Sequence, residues 1–411
     1  MADTSSPAPE PQTQPPPSTA SANDDGAPSA STATPHHPPP LLSRISYLSK
    51  IYTTKSLSAP QIWYRDWKEY FYPATTQPDI IKTYECRPDL PVRIFFPSSY
   101  DLLSLSPLPT LFTIHGSVSA PFCLGDSRDD DEWNRQFADR NNVLVIGLDY
   151  SKVAGGVAGG GGGVFPRQVF DVEAGMLAAL GDESLPIDRT SPRGGGDGNK
   201  KKGRVGVLGF GGAGGNLALG VVQLDEVRRS ENCPGVVVSI GGWLDMAMPG
   251  TEKRARGGVT GEDLDVWKWG LLPYGLDLRD PIVSPCYVQE EELPEWRCFI
   301  GGERDVLAWE NWALARRLAG KGEVKRGEGV CGREERGGYK KGLEREDEGF
   351  WFEEDKVKWV LVPDVGPGFE HREVREEMGW GEEVVKDAEE KTEEVMLELG
   401  GWLKRAWGVE G

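Results

Sequence analysis

The sequence predicts an α/β fold with a mostly parallel central sheet and helices on both faces. Three observations carry that expectation. Short, fully apolar runs recur along the chain: "TLFTIHG" (110–116), "NVLVIGLDY" (142–150), "RVGVLGF" (204–210), "GVVVSIGGW" (235–243), "RCFIGGE" (297–303) and "KVKWVLVPDVG" (356–366). Strands that are apolar on both sides belong to sheets buried on both faces, as parallel sheets are. Stretches with helical spacing, such as "EWNRQFADR" and "RQVFDVEAGMLAAL", fall between several of them, and strand–helix alternation makes sequential strands parallel neighbours.

Taken in order, residues 1–40 are rich in Pro, Ser, Ala and Thr and nearly free of aromatics. They cannot bury enough surface to fold and are expected to be a disordered tail. The first residues show neither a basic stretch nor an apolar run of the secretory kind, so a cytoplasmic protein is expected. From 41 to 73 aromatics return at helical spacing, which suggests one or two helices forming part of a small cap, with a second cap element over 244–281. "IIKTYECRP" and "LPVRIFFP" suggest a hairpin turning at Pro-Asp. The region from Val384 to Trp407 places Val384, Val385, Ala388, Val395, Leu399, Trp402 and Leu403 at helical intervals, as a helix closing a single large domain over 41–408 would. The charged, glycine-rich stretches 189–203 and 320–349 are expected to be disordered insertions, and 154–164 ("AGGVAGGGGGV") is a third biased tract.

Composition narrows the function. The 411 residues carry 65 acidic and 46 basic side chains, a net charge of −19, which argues against nucleic acid or an anionic membrane surface as partner. The uncharged run Val205–Leu224 is long enough to suggest a membrane span, yet its glycines, Asn216 and Gln223 fit a strand, turn and helix better. Six cysteines without a CxxC pair and only four histidines indicate no disulfide framework and no metal site. No cofactor is implied, and the oligomeric state is open.

The stretch "GFGGAGGNLAL" (209–219) is a glycine-rich strand-to-helix turn with no nucleophilic side chain at its apex. Gly209, Gly211 and Gly214 match the dinucleotide fingerprint. That reading fails on position, because such a turn normally opens the first βαβ unit and here at least two strands precede it. Six motifs occur in a fixed order: "HGSV", "LDYSK" with "FPRQVFDV", "AGGNLAL", "GGWLDM", "DPIVSP" and "GERDVL". Together they resemble the hormone-sensitive-lipase-like esterases of the α/β-hydrolase fold, especially fungal members, over about residues 80–405.

The resemblance implies carboxylic-ester hydrolysis by a Ser-His-Asp triad, with the Ser on a nucleophile elbow and backbone N–H groups stabilising the oxyanion. Carried over, the oxyanion loop corresponds to His115, Gly116 and Ser117, with Ala213 as the donor after the nucleophile. The acid corresponds to Asp305, which could equally cap the following helix. Glycine takes the serine's place: Gly212 when aligned on "AGGNLAL", Gly211 when aligned on "GF". Pro367 takes the histidine's place. His371, four residues on, reads as a surface or helix-start residue, with a displaced base as the alternative. Losing a triad Ser or His alone costs about 10⁶ in kcat in a well-studied protease. The expectation is therefore a catalytically impaired homologue. As a binding or scaffolding protein it would hold a small apolar ester or acid above the elbow; plant gibberellin receptors of this group bind rather than hydrolyse. The competing expectation is an active esterase with a relocated nucleophile, for which Ser117, Ser151 and Ser239 are candidates.

Overall fold

The computed structural model describes residues 33–72, 74–104, 106–117, 120–153, 165–189, 191–192, 200–201, 203–255, 259–325, 340–377 and 381–409. The expected tail up to residue 32, the tract 154–164, residues 193–199 and 326–339 lie outside the described residues. The unit that carries the fold begins at Thr34.

The strands are β1 (Ile80–Tyr84), β2 (Arg87–Phe95), β3 (Thr110–Ile114), β4 (Leu144–Leu148), β5 (Ser191–Pro192), β6 (Lys200–Lys201), β7 (Val205–Phe210), β8 (Val236–Ile240), β9 (Trp296–Gly302), β10 (Trp351–Glu354) and β11 (Val357–Val362). The helices are α1 (Leu41–Phe71), α2 (Asp131–Asn141), α3 (Arg167–Gly181), α4 (Gly211–Val221), α5 (Asp225–Arg229), α6 (Leu264–Leu271), α7 (Ala308–Leu318), α8 (Arg372–Glu377) and α9 (Glu382–Ala406). Among the described residues, nine strands form one sheet in the order β1-β2-β4-β3-β7-β8-β9-β11-β10. From β4 to β11 all neighbours are parallel. The first hairpin and β10 are the antiparallel margins.

The two-residue period of a strand explains the apolar runs. Along β3, Leu111 joins a core with Trp133 and Phe137 of α2 and Trp402 of α9, while Phe112 and Ile114 join the opposite core with α3, α4 and α7. Both faces are buried, so most positions of such a strand are apolar; in β3 the exceptions are Thr110 and Thr113. Helix α9 follows the expected stripe, burying Ala388, Val395, Leu399, Trp402 and Leu403. Glu382 and Glu383 open it and Lys404 and Arg405 close it, matching the helix dipole at both ends.

Three details differ from the sequence-based expectations. The hairpin turns at Glu85–Cys86, not at Pro88–Asp89; β2 runs through that pair. A register shift separates the Tyr84–Arg87 and Lys82–Val92 pairings, and a bulge accommodates a proline that donates no ladder bond. The tail ends earlier than residue 40. Thr34 O accepts from Leu278 N–H, and His36 exchanges backbone hydrogen bonds with Leu276 and Gly275, leaving His36 buried against Tyr274. Helix α1 continues through Pro60, within the expectation of one or two helices for this segment. It packs on α6 through Tyr47 against Trp269 and through Ile51. Finally, the insertion 189–203 carries the small β5–β6 ladder, and β10 extends the sheet just past the insertion 320–349. Among the described residues no helix is long and apolar enough to cross a membrane.

Candidate functional site

The turn from β7 into α4 stands at the carboxyl end of the central strands, where open α/β sheets place their clefts. Its glycines serve different physical needs. A Cβ on Gly209 would fall on the Gly214 carbonyl, and one on Gly214 would fall on the Ile114 carbonyl. These two glycines let strand and helix touch. Gly211 is needed for its backbone, with φ +56°, a left-handed conformation that costs a side-chain-bearing residue free energy. A Cβ there would make ordinary van der Waals contact, 3.7 Å from Gly116 Cα and Ser117 N, with no clash. The turn's left-handed apex is thus Gly211, one residue before Gly212. Gly212 lies in the first turn of α4, where a Cβ would meet Pro121 and Leu307 at 3.3–3.4 Å. Ala213 is fully buried in the core beside it.

The loop after β3 is held from behind. His115 is fully buried, stacked on Tyr150 at 4.4 Å between ring centres. Its Nε2 lies 2.7 Å from Lys152 Nζ and 3.0 Å from Asp149 Oδ1, and its Nδ1 is 3.1 Å from Gly116 O. Burial opposes ionisation of Asp149, but the hydrogen bond from His115 and the Lys152 ammonium outweigh it and hold the carboxyl far below its ordinary range. The "HGS" and "LDYSK" motifs are therefore one cluster that fixes Gly116 and Ser117 beside Gly211. Other motif residues brace the far side, since the Asn216 amide donates to Trp243 O at 2.8 Å and to Val283 O at 2.9 Å.

A cavity of about 780 Å³ opens over the apex, with Gly116, Ser117, Gly211 and His371 in its wall. His371 stands at a helix start, as expected, but is not fully exposed. It precedes α8, is largely buried, sets its ring edge-on to Phe210, and holds Nε2 at 3.5 Å from both Asp130 Oδ1 and Glu370 Oε1. Burial pushes its pKa down to about 4, so the imidazole is neutral at pH 7. Pro367 is half-buried in the loop after β11 and is not part of the cavity wall; Gly368, φ +73°, then turns the chain so that Glu370 and His371 reach it. Asp305 is buried, its Oδ1 accepting from Leu307 N–H at 2.9 Å as α7 begins. Burial raises its pKa to about 6, and its charge is felt by Glu370.

Of the three candidate serines, Ser239 is in the core, donating to Asn311 Oδ1 at 3.1 Å. Ser151 uses its N–H on Asp171 at 3.0 Å and stands outside the cavity wall; Ser117 lines the cavity, with Oγ accepting from Ala120 N–H at 3.4 Å. The wall is charged where an apolar one was expected: Asp130, Asp131, Glu370 and Arg65 contribute to it. Sequence reasoning missed Asp130 and Glu370. "SRDDDE" and "FEHR" look like solvated surface, and only the adjacency of Glu370 to His371 hinted otherwise.

The sequence profile of the alpha/beta hydrolase fold family matches residues 111–330, more than half of the chain. The chain belongs to the α/β-hydrolase fold family. Solved structures of this fold are similar throughout. An esterase from the hyperthermophilic archaeon Pyrobaculum calidifontis superposes with a TM-score of 0.54 at 17% identity, covering 89% of this chain and 90% of that one. Brefeldin A esterase, described as a bacterial homologue of human hormone-sensitive lipase, gives 0.56 at 16% identity over 92% and 90%. Carboxyl esterase 2 from the mycorrhizal fungus Tuber melanosporum gives 0.52 at 14% over 81% and 88%. A search of curated proteins finds no match.

In this α/β-hydrolase the turn's two inner glycines should respond differently to one methyl group. Gly211→Ala is expected to cost about 1–2 kcal/mol, the left-handed penalty, with no contact to blame. Gly212→Ala adds its methyl in a right-handed helical turn, where Pro121 and Leu307 need to give by only a few tenths of an ångström, and is expected to stay within about 1 kcal/mol of the parent. Urea midpoints of the two variants check this, and equal losses would move the apex away from Gly211.

Proposed function

We propose that this carboxylesterase/lipase-like α/β-hydrolase no longer turns over esters by serine acyl transfer and instead binds a ligand in the cleft over Gly211. The observation that carries the reading is the apex itself: the left-handed residue facing the Gly116–Ser117 loop is a glycine. We assign the lost nucleophile to position 211 rather than 212, and with it the second oxyanion donor to the Gly212 N–H rather than that of Ala213. The rest of the triad supports the same conclusion. Pro367 stands where the base would be, and His371, at a pKa of about 4, is poorly matched to proton abstraction near neutral pH. Asp305 is retained as the carboxyl that begins α7 and not as the orienter of a histidine. The charged wall argues against an organic acid as the ligand and leaves room for a neutral or cationic one.

Ser117 favours a second reading, in which a relocated nucleophile uses His371 as base. Incubation with a fluorophosphonate probe separates the two, and no labelling is expected. Stoichiometric adduct formation, mapped to Ser117 by peptide mass spectrometry, would establish the second reading and end the first.

A further inference from the structure

Two carboxylates in the cavity wall are short of partners. Asp130, immediately before α2, is 2% exposed, and its Oδ1 accepts no hydrogen bond among the described residues. Glu370 is 6% exposed, and its Oε2 is in the same position. Leaving buried carboxylate oxygens unpaired is costly, and the cost is relieved by a cation with hydrogens to donate. No hydrogen bond from a cationic side chain reaches Asp130 Oδ1 or Glu370 Oε2 among the described residues, and Arg375 only partly offsets the burial of Glu370. His371, 3.5 Å from Asp130 Oδ1 and from Glu370 Oε1, is neutral. Arg65 is engaged with Asp126 at 3.0 Å and with Asp129. Arg128 pairs with Asp126 and Glu69. Arg375 gives Nη1 to Phe369 O at 2.7 Å and faces Glu389 at 3.8 Å.

The balance of the whole wall points the same way. Nine carboxylates line the cavity against four arginines, so an anionic ligand enters against the field. A metal ion is a poor fit, because among the described residues no three His, Cys, Asp or Glu side chains converge as ligands. An alkylammonium is a good one. It carries three N–H donors, and the cavity wall offers it two buried carboxylates, Asp130 and Glu370, each with an oxygen within 3.5 Å of His371 Nε2. Beside them Trp133 and Ile62 add apolar wall, and about 780 Å³ is the size of a small-molecule site.

We propose that the cavity over Gly211 takes a primary amine in its ammonium form, held by Asp130 and Glu370, with its apolar part against Trp133 and Ile62. The proposal rests on the non-hydrolytic binding reading and names its ligand class.

Benzylamine, benzyl alcohol and benzoate share a ring and differ in charge, so calorimetric titration of the full chain with each at pH 7.5 isolates the head group. Benzylamine is expected to bind at least tenfold more tightly than benzyl alcohol, and benzoate more weakly than either. Asp130→Asn and Glu370→Gln, which keep the shape, are each expected to weaken benzylamine at least fivefold and to leave benzyl alcohol unchanged. Equal affinity for amine and alcohol, stronger binding of benzoate, binding of none of the three, or folded variants that bind benzylamine as the parent does would each overturn the proposal. Because these comparisons are made on the parent protein as well, a variant that fails to fold does not decide the matter. The underlying reading fails separately, by fluorophosphonate labelling. A protein that is silent to the probe and prefers the alcohol keeps that reading and loses the ammonium.

Discussion

Lys253→Met should destabilise the protein by about 3–5 kcal/mol, the loss typical of removing one partner from a buried ion pair. Lys253 and Glu310 are both 2% exposed and paired through Nζ and Oε2. The pair joins the segment 244–281 to α7, and Glu310 Oε1 also accepts from Leu244 N–H at 2.6 Å. Burial already raises Glu310 to about 7 despite the ammonium beside it, with Asp245 adding to the rise. Methionine fills similar space but leaves the carboxylate alone in the interior. The double variant Lys253→Met/Glu310→Met should recover most of the loss, because the cost is that of the uncompensated charge and not of the missing attraction. Urea midpoints of the two single variants and the double at pH 7.5 test this. A double variant as unstable as Lys253→Met would show that the damage is steric.

Glu370→Gln should stabilise the protein at pH 8 relative to its effect at pH 5, by on the order of 3 kcal/mol. Burial, helped by the charge of Asp305 and partly offset by Arg375, raises Glu370 from 4.5 to about 7. A carboxyl with a raised folded pKa gives up its proton more readily when unfolded. Its contribution to stability is complete below about pH 4.5 and is lost as the pH climbs to about 7. Glutamine has no such loss, so parent and variant should diverge above pH 5. Asp305 and Asp131, raised to about 6 by burial, leave the variant a smaller slope of the same sign. Asp126, lowered to about 2 because Arg128 and Arg65 overcome its burial, acts only in stronger acid. Midpoints that stay parallel from pH 5 to pH 8 would refute the assignment.

The sheet was legible because burial on both faces makes most residues of a parallel strand apolar, and that writes itself into short runs. The order of the motifs was legible for a related reason: Asn216, Trp243 and Val283 lie far apart in sequence yet share hydrogen bonds, so their spacing records a contact. The register of the elbow was not. "GGAGG" accepts two alignments, and only the left-handed φ of Gly211 separates them. Asp130 and Glu370 were hidden for another reason. A carboxylate reads as solvated unless something covers it, and the cover here comes from elements distant in the chain. The first residues of the domain were misplaced because His36 is anchored through backbone hydrogen bonds, which no side-chain pattern announces.

One turn divides two kinds of selection between neighbouring glycines. At 209 and 214 any side chain would strike backbone, so those positions answer to folding alone, whatever the protein does. At position 211 a Cβ meets its neighbours only at ordinary contact distance, so a side chain can be gained or lost there at the modest cost of a strained dihedral, with the surrounding architecture left intact. The features by which a chain is recognised as a relative and the features that make it an enzyme can therefore drift apart within six residues.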